Sequence, residues 1–297
     1  MTTSPQARIL QVLAIADEVP TAAELAPFLA DDDGNVRRTA IDVLAESAPP
    51  DAGAALAAAL LDHDVAVRHA AIEALTELRE LVKPDAAFAV GLLRAGASSD
   101  PSVRSLTLQL QREHRLADEE TFVAALDDPD PGVRREAIAG LVALGSASVL
   151  ATARTDDDAL VRRATARGLA TIGDPETADA LLTLAEDTDV RVRAAALEAF
   201  AAVGCPPMLA ATAAHALLDP EWSVRRGAAL GLKAAPAEMA LPPLLLALGD
   251  ENLDVRKAAV QALSGWASGF SDVVHALEAM LDDPDADVRA YARMALP

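Results

Sequence analysis

Residues 127–141 read "DDPDPGVRREAIAGL". The pattern of acidic turn, Val-Arg, small residue and leucine is not confined to this stretch. Residues 98–106 read "SSDPSVRSL", and residues 155–169 read "TDDDALVRRATARGL". Working outward, Val-Arg pairs stand at Val36-Arg37, Val67-Arg68, Val103-Arg104, Val133-Arg134, Val161-Arg162, Val192-Arg193, Val224-Arg225, Val255-Arg256 and Val288-Arg289. The steps between them are 31, 36, 30, 28, 31, 32, 31 and 33 residues, so the chain is an internal repeat.

Each pair opens a helix. Three residues before the valine stands Asp33, Asp64, Asp100, Asp130, Asp158, Asp189, Glu221, Asn252 or Asp285, a side chain able to accept from the free amides of a first helical turn. Pro101 and Pro131 fit the first helical position. Small residues such as Ala40, Ala71 and Ala137 follow four after the valine, and large apolar ones such as Leu44, Leu75 and Phe200 follow eight after it. These positions share one helical face, and alanine there lets neighbouring helices approach closely. Gly145, Gly173 and Gly204, twelve after the valine, suit C-terminal caps. A second helix precedes each pair, as in "AGAALAAALLD" from 52, "EETFVAALDD" from 119, "PETADALLTLAED" from 175 and "LPPLLLALGD" from 241. Neither helix buries its apolar face alone, so the units must stack. Residues 5–18 predict one more helix covering the first unit.

The 297 residues are 52% hydrophobic, which excludes a disordered chain, but only 3% aromatic, so the apolar mass is Ala, Leu and Val. There are 29 Asp and 17 Glu against 22 Arg and 3 Lys, for a net charge of −21 that repels nucleic acid and anionic lipid. Such an Asp-rich, Lys-poor balance suits a high-salt cytoplasm, and a GC-rich genome gives the same bias. One cysteine, Cys205, allows neither a disulfide framework nor a thiolate metal cluster. The start, "MTTSPQARILQVLAIADEVP", has no basic region or cleavage site, so no signal peptide is expected. The uncharged run 199–218 has the length of a membrane span, but Gly204-Cys205-Pro206-Pro207 at its centre reads as a turn between helices. No nucleic acid or membrane partner is expected, and the location expected is cytoplasmic.

The unit "DxDxxVRxxAxxxLxxxG" resembles HEAT repeats, specifically the short HEAT-like type first named in phycobilin lyases. The resemblance runs from about Thr21 to the end of the chain. It implies an all-α fold, a right-handed α-α superhelix of about nine two-helix repeats. The domains expected are a capping helix in residues 1–20 and a single elongated solenoid in 21–297. Six residues before each repeat arginine stands a turn aspartate, giving Asp31 with Arg37, Asp62 with Arg68, Asp128 with Arg134, Asp156 with Arg162, Asp187 with Arg193, Asp219 with Arg225, Asp250 with Arg256, and Asp283 with Arg289. In repeat three Ser98 takes the aspartate's place. The resemblance implies that these residues form columns that bond across neighbouring units, each bond contributing ~1.5–3 kcal/mol where partly buried. A motif repeated in every unit reads as architecture, since a catalytic site is expected once.

No catalytic residue, metal ligand or cofactor-binding residue is expected, and no cofactor. The five histidines (His63, His69, His114, His215, His275) fall in different repeats without HxxxH spacing. Deoxyhypusine hydroxylase, a helical-repeat enzyme, binds iron through His-Glu pairs, and this chain has none. Helical-repeat DNA glycosylases need a basic groove with aromatics. GxSxG, GxGxxG and GxxxxGK[ST] are all missing from the chain.

In this type of solenoid the second helix usually lines the concave face. Two residues after the valine, Arg38 faces Asp42 and His69 faces Glu73 one turn on, whereas Arg135, Arg163, Arg226 and Lys257 have no acid there. Arg163 and Arg167 share a face. Arg135, Arg163, Arg167, Arg226 and Lys257 are therefore the candidate partner-binding residues, forming a basic strip suited to an acidic segment of a protein or peptide. The alternative is a solvated face neutralised by turn acids. Repeat three is irregular, with Thr107 and Gln111 where others carry Ala and Leu. It predicts a bend, or a local surface built from Gln109, Arg112, His114 and Arg115. The function expected is a non-enzymatic interaction scaffold or adaptor. The second class is an enzyme or enzyme accessory like the bilin lyases, which needs convergent polar residues in one pocket.

Overall fold

The computed structural model describes residues 3–296. They are helical throughout, with no strand among the described residues. Two compact units divide at α9, Met1–Gly140 and Leu141–Pro297. The first holds α1 (Pro5–Ala16), then the pairs α2 (Ala22–Leu29) with α3 (Gly34–Ser47), α4 (Ala52–Ala59) with α5 (Val65–Leu78), and α6 (Ala86–Ala95) with α7 (Pro101–Glu113). It ends with α8 (Glu119–Ala125) and the start of α9 (Pro131–Leu144). The second continues with α10 (Ala147–Leu150) and its 3-10 extension to Thr155, α11 (Ala159–Ile172), α12 (Ala178–Ala185) and α13 (Val190–Ala199). It closes with the pairs α14 (Pro207–Ala216) with α15 (Trp222–Gly231), α16 (Ala237–Ala247) with α17 (Leu253–Ser264), and α18 (Ser271–Ala279) with α19 (Ala286–Ala295).

Within each unit, α1 and the helices that open on Val-Arg pack on one another in sequence: α1 on α3 on α5 on α7, and α11 on α13 on α15 on α17 on α19. Their contact face is the face drawn by the repeat. All nine repeat valines are buried, as are Ala40, Ala71, Ala196, Ala228 and Ala259 four residues on. Eight residues on, Leu44, Leu75, Leu169, Phe200, Leu232 and Leu263 are sealed from solvent. Burying one such side chain contributes about 1.5–3 kcal/mol. The helix starts are capped as expected. Asp33, Asp64, Asp100, Asp158, Asp189, Asn252 and Asp285 accept from the amide two residues on. Glu221 makes no capping hydrogen bond to α15. The Ala199–Leu218 run breaks at Gly204 and Cys205, whose φ angles of 85° and 40° turn the chain between α13 and α14. No helix is long and apolar enough to cross a membrane among the described residues. Against expectation, α16 starts at Ala237, four residues before Leu241, and takes Pro242 and Pro243 into its body.

The repeat arginine does two jobs. In all nine repeats its Nη1 donates to the backbone carbonyl six residues earlier, closing its own turn. Because the acceptor is backbone, Ser98 serves Arg104 as well as an aspartate would. The Nε and Nη2 edge then reaches the turn carboxylate of the next repeat. Arg37 grips Asp62 at 2.7 and 2.8 Å, Arg104 grips Asp128, Arg162 grips Asp187, Arg225 grips Asp250 and Arg256 grips Asp283. Arg193 makes a longer contact to Asp219, 3.4 Å. Bidentate pairs of this kind are both strong and orienting. The same aspartate accepts from the amide two residues on, at Asp33, Asp64, Asp130, Asp158, Asp189, Glu221, Asn252 and Asp285. In the turn that Arg68 faces, Ser98 stands in the aspartate's place, and Arg68 pairs instead with the capping residue Asp100, 3.3 Å away. Arg8 of α1 pairs with Asp31 at 2.6 and 2.9 Å, so α1 takes the place of a second helix and joins the column.

The column carboxylates titrate accordingly. Hydrogen bonding to Arg8 and to Arg162 holds Asp31 and Asp187 below the usual range. Burial pushes Asp62, Asp128, Asp250 and Asp283 up, but the arginines and turn amides outweigh it and the net shift is down. A depressed carboxylate stabilises the fold above its unfolded value near pH 4, and that contribution is lost as pH falls through the folded value. Asp42 and Glu136, raised by burial, act in the opposite sense but are fewer. Urea midpoints are therefore expected to hold between about pH 7 and pH 5 and to fall below about pH 4. A midpoint that rises on acidification, as relief of the −21 charge alone would give, contradicts this.

Candidate functional site

The four candidate arginines and Lys257 differ in their immediate partners. Arg135, exposed on α9, lies in the first compact unit. The other four lie in the second, on α11, α15 and α17. Arg226 meets Glu198 of α13 at 3.4 Å. Lys257 meets Asp254 at 2.7 Å and Asp287 at 4.0 Å. Arg163 and Arg167 make no ion pair among the described residues. The same-helix pairs expected for the early repeats are present but loose: Arg38 to Asp42 is 3.9 Å and His69 to Glu73 is 3.6 Å.

Arg163 and Arg167 border a cleft of about 590 Å³ that crosses α11, α13 and α15. Its origin is a missing side chain. Repeat six carries Ala194 where the repeats on either side carry Arg163 and Arg226. Ala170, Ala194, Ala195 and Ala199 form an apolar floor. Arg163 and Arg167 stand on one side, Trp222 and Arg226 on the other, and Arg191 also borders the cleft. Trp222 is 43% exposed and offers an apolar surface with a donor N–H at the cleft's edge. Arg191 is held by Asp189 at 2.8 Å, a contact that draws the Asp189 carboxyl down to about 2. Four arginines thus face the two acids Glu198 and Asp254 in a chain of net charge −21. Two like charges one helical turn apart, Arg163 and Arg167, repel unless an anion sits between them.

The surface expected at repeat three does not converge. Gln109 donates to Glu113, Arg112 lies 3.8 Å from Glu136, and Arg115 adopts a left-handed conformation, φ 56°. His114 sets its ring edge against Phe88 with centroids 5.7 Å apart. Cys205 is buried, and burial pushes its thiol up to about 11, away from nucleophilic use at neutral pH. Among the described residues no group of three or more His, Cys, Asp and Glu side chains is placed to hold a metal ion.

Stacked helix pairs, tied turn to helix by arginine and aspartate, define an α-α solenoid, a fold whose surface is built from repeated helix faces. The sequence signature of HEAT repeats matches residues 22–110, 147–217 and 209–297, and the chain belongs to the HEAT-repeat family. The chain is similar to an engineered protein known from a crystal structure, at TM-score 0.58 and 20% identity over 99% of this chain and 95% of that one. It is also similar, at TM-score 0.59 and 13% identity, to a chain in the structure describing how Kap95p binding induces the switch loops of RanGDP to adopt the GTP-bound conformation. That match covers 99% of this chain and 49% of the other, so the present chain spans about half its length. No curated protein matches the chain.

Proposed function

We propose that the chain is a non-enzymatic scaffold that holds an acidic segment of a partner protein in the α11–α13–α15 cleft. The observation that carries this reading is the juxtaposition of Arg163 and Arg167, free of acids, with the exposed indole of Trp222 across a floor of alanines. Arginine pairs carboxylates, the alanine floor admits a backbone at close range, and Trp222 offers an apolar anchor beside the charges. Of the five sequence candidates, Arg163 and Arg167 are the recognition pair. Arg226 and Lys257 are restrained by their own acids, and Arg135 belongs to the other compact unit. Kap95p acts on a protein, which supports a binding role for this fold. The setting proposed is the cytoplasm.

The test uses a W266F variant, in which Trp222 is the one remaining tryptophan. Titration with hexaglutamate is expected to change its fluorescence saturably, and more weakly as salt rises from about 0.1 M to 1 M. Adding R163E/R167E is expected to weaken the response by about tenfold or more. Adding R38E instead, far along the chain, is expected to leave it unchanged. An identical titration in the R163E/R167E protein removes this reading.

A further inference from the structure

Eight residues after each repeat valine the other second helices present a large apolar side chain, and in repeat three they present Gln111. Leu44, Leu75, Leu169, Leu232 and Leu263 are completely buried at that position. Gln111 is 7% exposed and its amide makes no hydrogen bond among the described residues. One turn earlier, Thr107 replaces alanine, and its buried hydroxyl oxygen has no partner. Repeat five also carries a threonine there, Thr165, but that hydroxyl donates to the Val161 carbonyl at 3.0 Å. Core polarity is thus satisfied in repeat five and left open in repeat three.

The open amide lines a cleft of about 330 Å³ reached between α6 and α8. Leu93, Leu108, Ala124 and Val133 give it apolar walls. Its charged groups, Arg104 and Asp128, are bound to each other at 2.7 Å and cancel. The Thr121 hydroxyl at its edge is taken by Asp118 at 2.8 Å. Gln111 is left as the group offering a donor and an acceptor side by side. We propose that this cleft binds a small uncharged molecule with an apolar body and an amide group, the amide pairing head to head with that of Gln111. A charged ligand does not fit, because no counter-charge is free and burying an unpaired ion is costly. The volume lies in the lower part of the range for small-molecule sites.

Benzamide is the probe, titrated into the full chain while the Gln111 side-chain amide is followed by nitrogen-15 NMR. Saturable shifts of that amide are expected at millimolar concentration. Q111L restores the apolar residue of the other repeats; it is expected to raise the melting temperature and to weaken benzamide binding by about tenfold or more. A124F, which closes the cleft from the exposed face of α8 without touching the core, is expected to weaken binding equally. Benzamide that leaves the Gln111 amide unmoved, or binds Q111L and A124F as it binds the parent, overturns the proposal.

Discussion

Replacing Arg225 with alanine is expected to cost about 3–5 kcal/mol of stability, the loss typical of stripping one partner from a buried pair. Arg225 is among the most enclosed charges in the chain, with 9% of its side chain exposed. It donates to the carbonyls of Asp219 and Pro220 at 3.0 Å, to Asp250 at 2.7 and 3.0 Å, and to Glu251 at 3.3 Å. Alanine leaves two turn carbonyls without their donor and the Asp250 carboxylate without its counter-charge, held by the Asn252 amide alone. R225K keeps the charge but not the fork, and is expected to recover less than half of the loss. Arg289 is the internal control, since it donates to the Asp283 and Pro284 carbonyls but meets no carboxylate among the described residues. R289A is therefore expected to cost about 1–2 kcal/mol. Urea unfolding of the three variants gives the comparison. Equal losses for R225A and R289A would mean that the contact to the next repeat contributes nothing.

G231A is expected to destabilise the protein by about 1–3 kcal/mol through overpacking. The sign is the informative part. In an ordinary helix interior, glycine to alanine stabilises by about 1 kcal/mol. Here α15 crosses α13 with backbone on backbone. A Cβ built on Gly231 would overlap the Leu197 carbonyl oxygen, and one on Gly227 would lie 2.5 Å from the Ala194 carbonyl oxygen. Neither obstacle is a side chain that can swing away. G265A, on the C-terminal boundary of α17 with nothing near its Cβ, is expected to cost nothing measurable, so heat denaturation of the two variants separates crowding from propensity. A stabilised G231A protein would mean that these helices are not in backbone contact.

The valine, alanine and leucine ladder was legible because helical periodicity and burial are both local consequences of the residue order. So were the capping aspartates, which act within three residues of themselves. Contacts between repeats were not legible in the same way. Glu198 neutralises Arg226 from the preceding repeat, a contact that no same-helix spacing encodes. Arg8 escaped because Ala7 stands where the other repeats have valine, although its 29-residue distance to Arg37 falls within the range of the repeat. Trp222 and Arg191 border the cleft only because Ala194 leaves room, a relation between three repeats. Asp100 could replace Ser98 as the partner of Arg68 because it stands two residues further along the same turn.

Within each compact unit, repeat arginines such as Arg225 hold the turn aspartate of the next repeat. A double-mutant cycle on R225A and D250A measures that directly, because the shared loss of packing and turn carbonyls cancels. The expected coupling energy is about 2 kcal/mol or more, in the upper range for residues in contact. Strictly additive losses would contradict it.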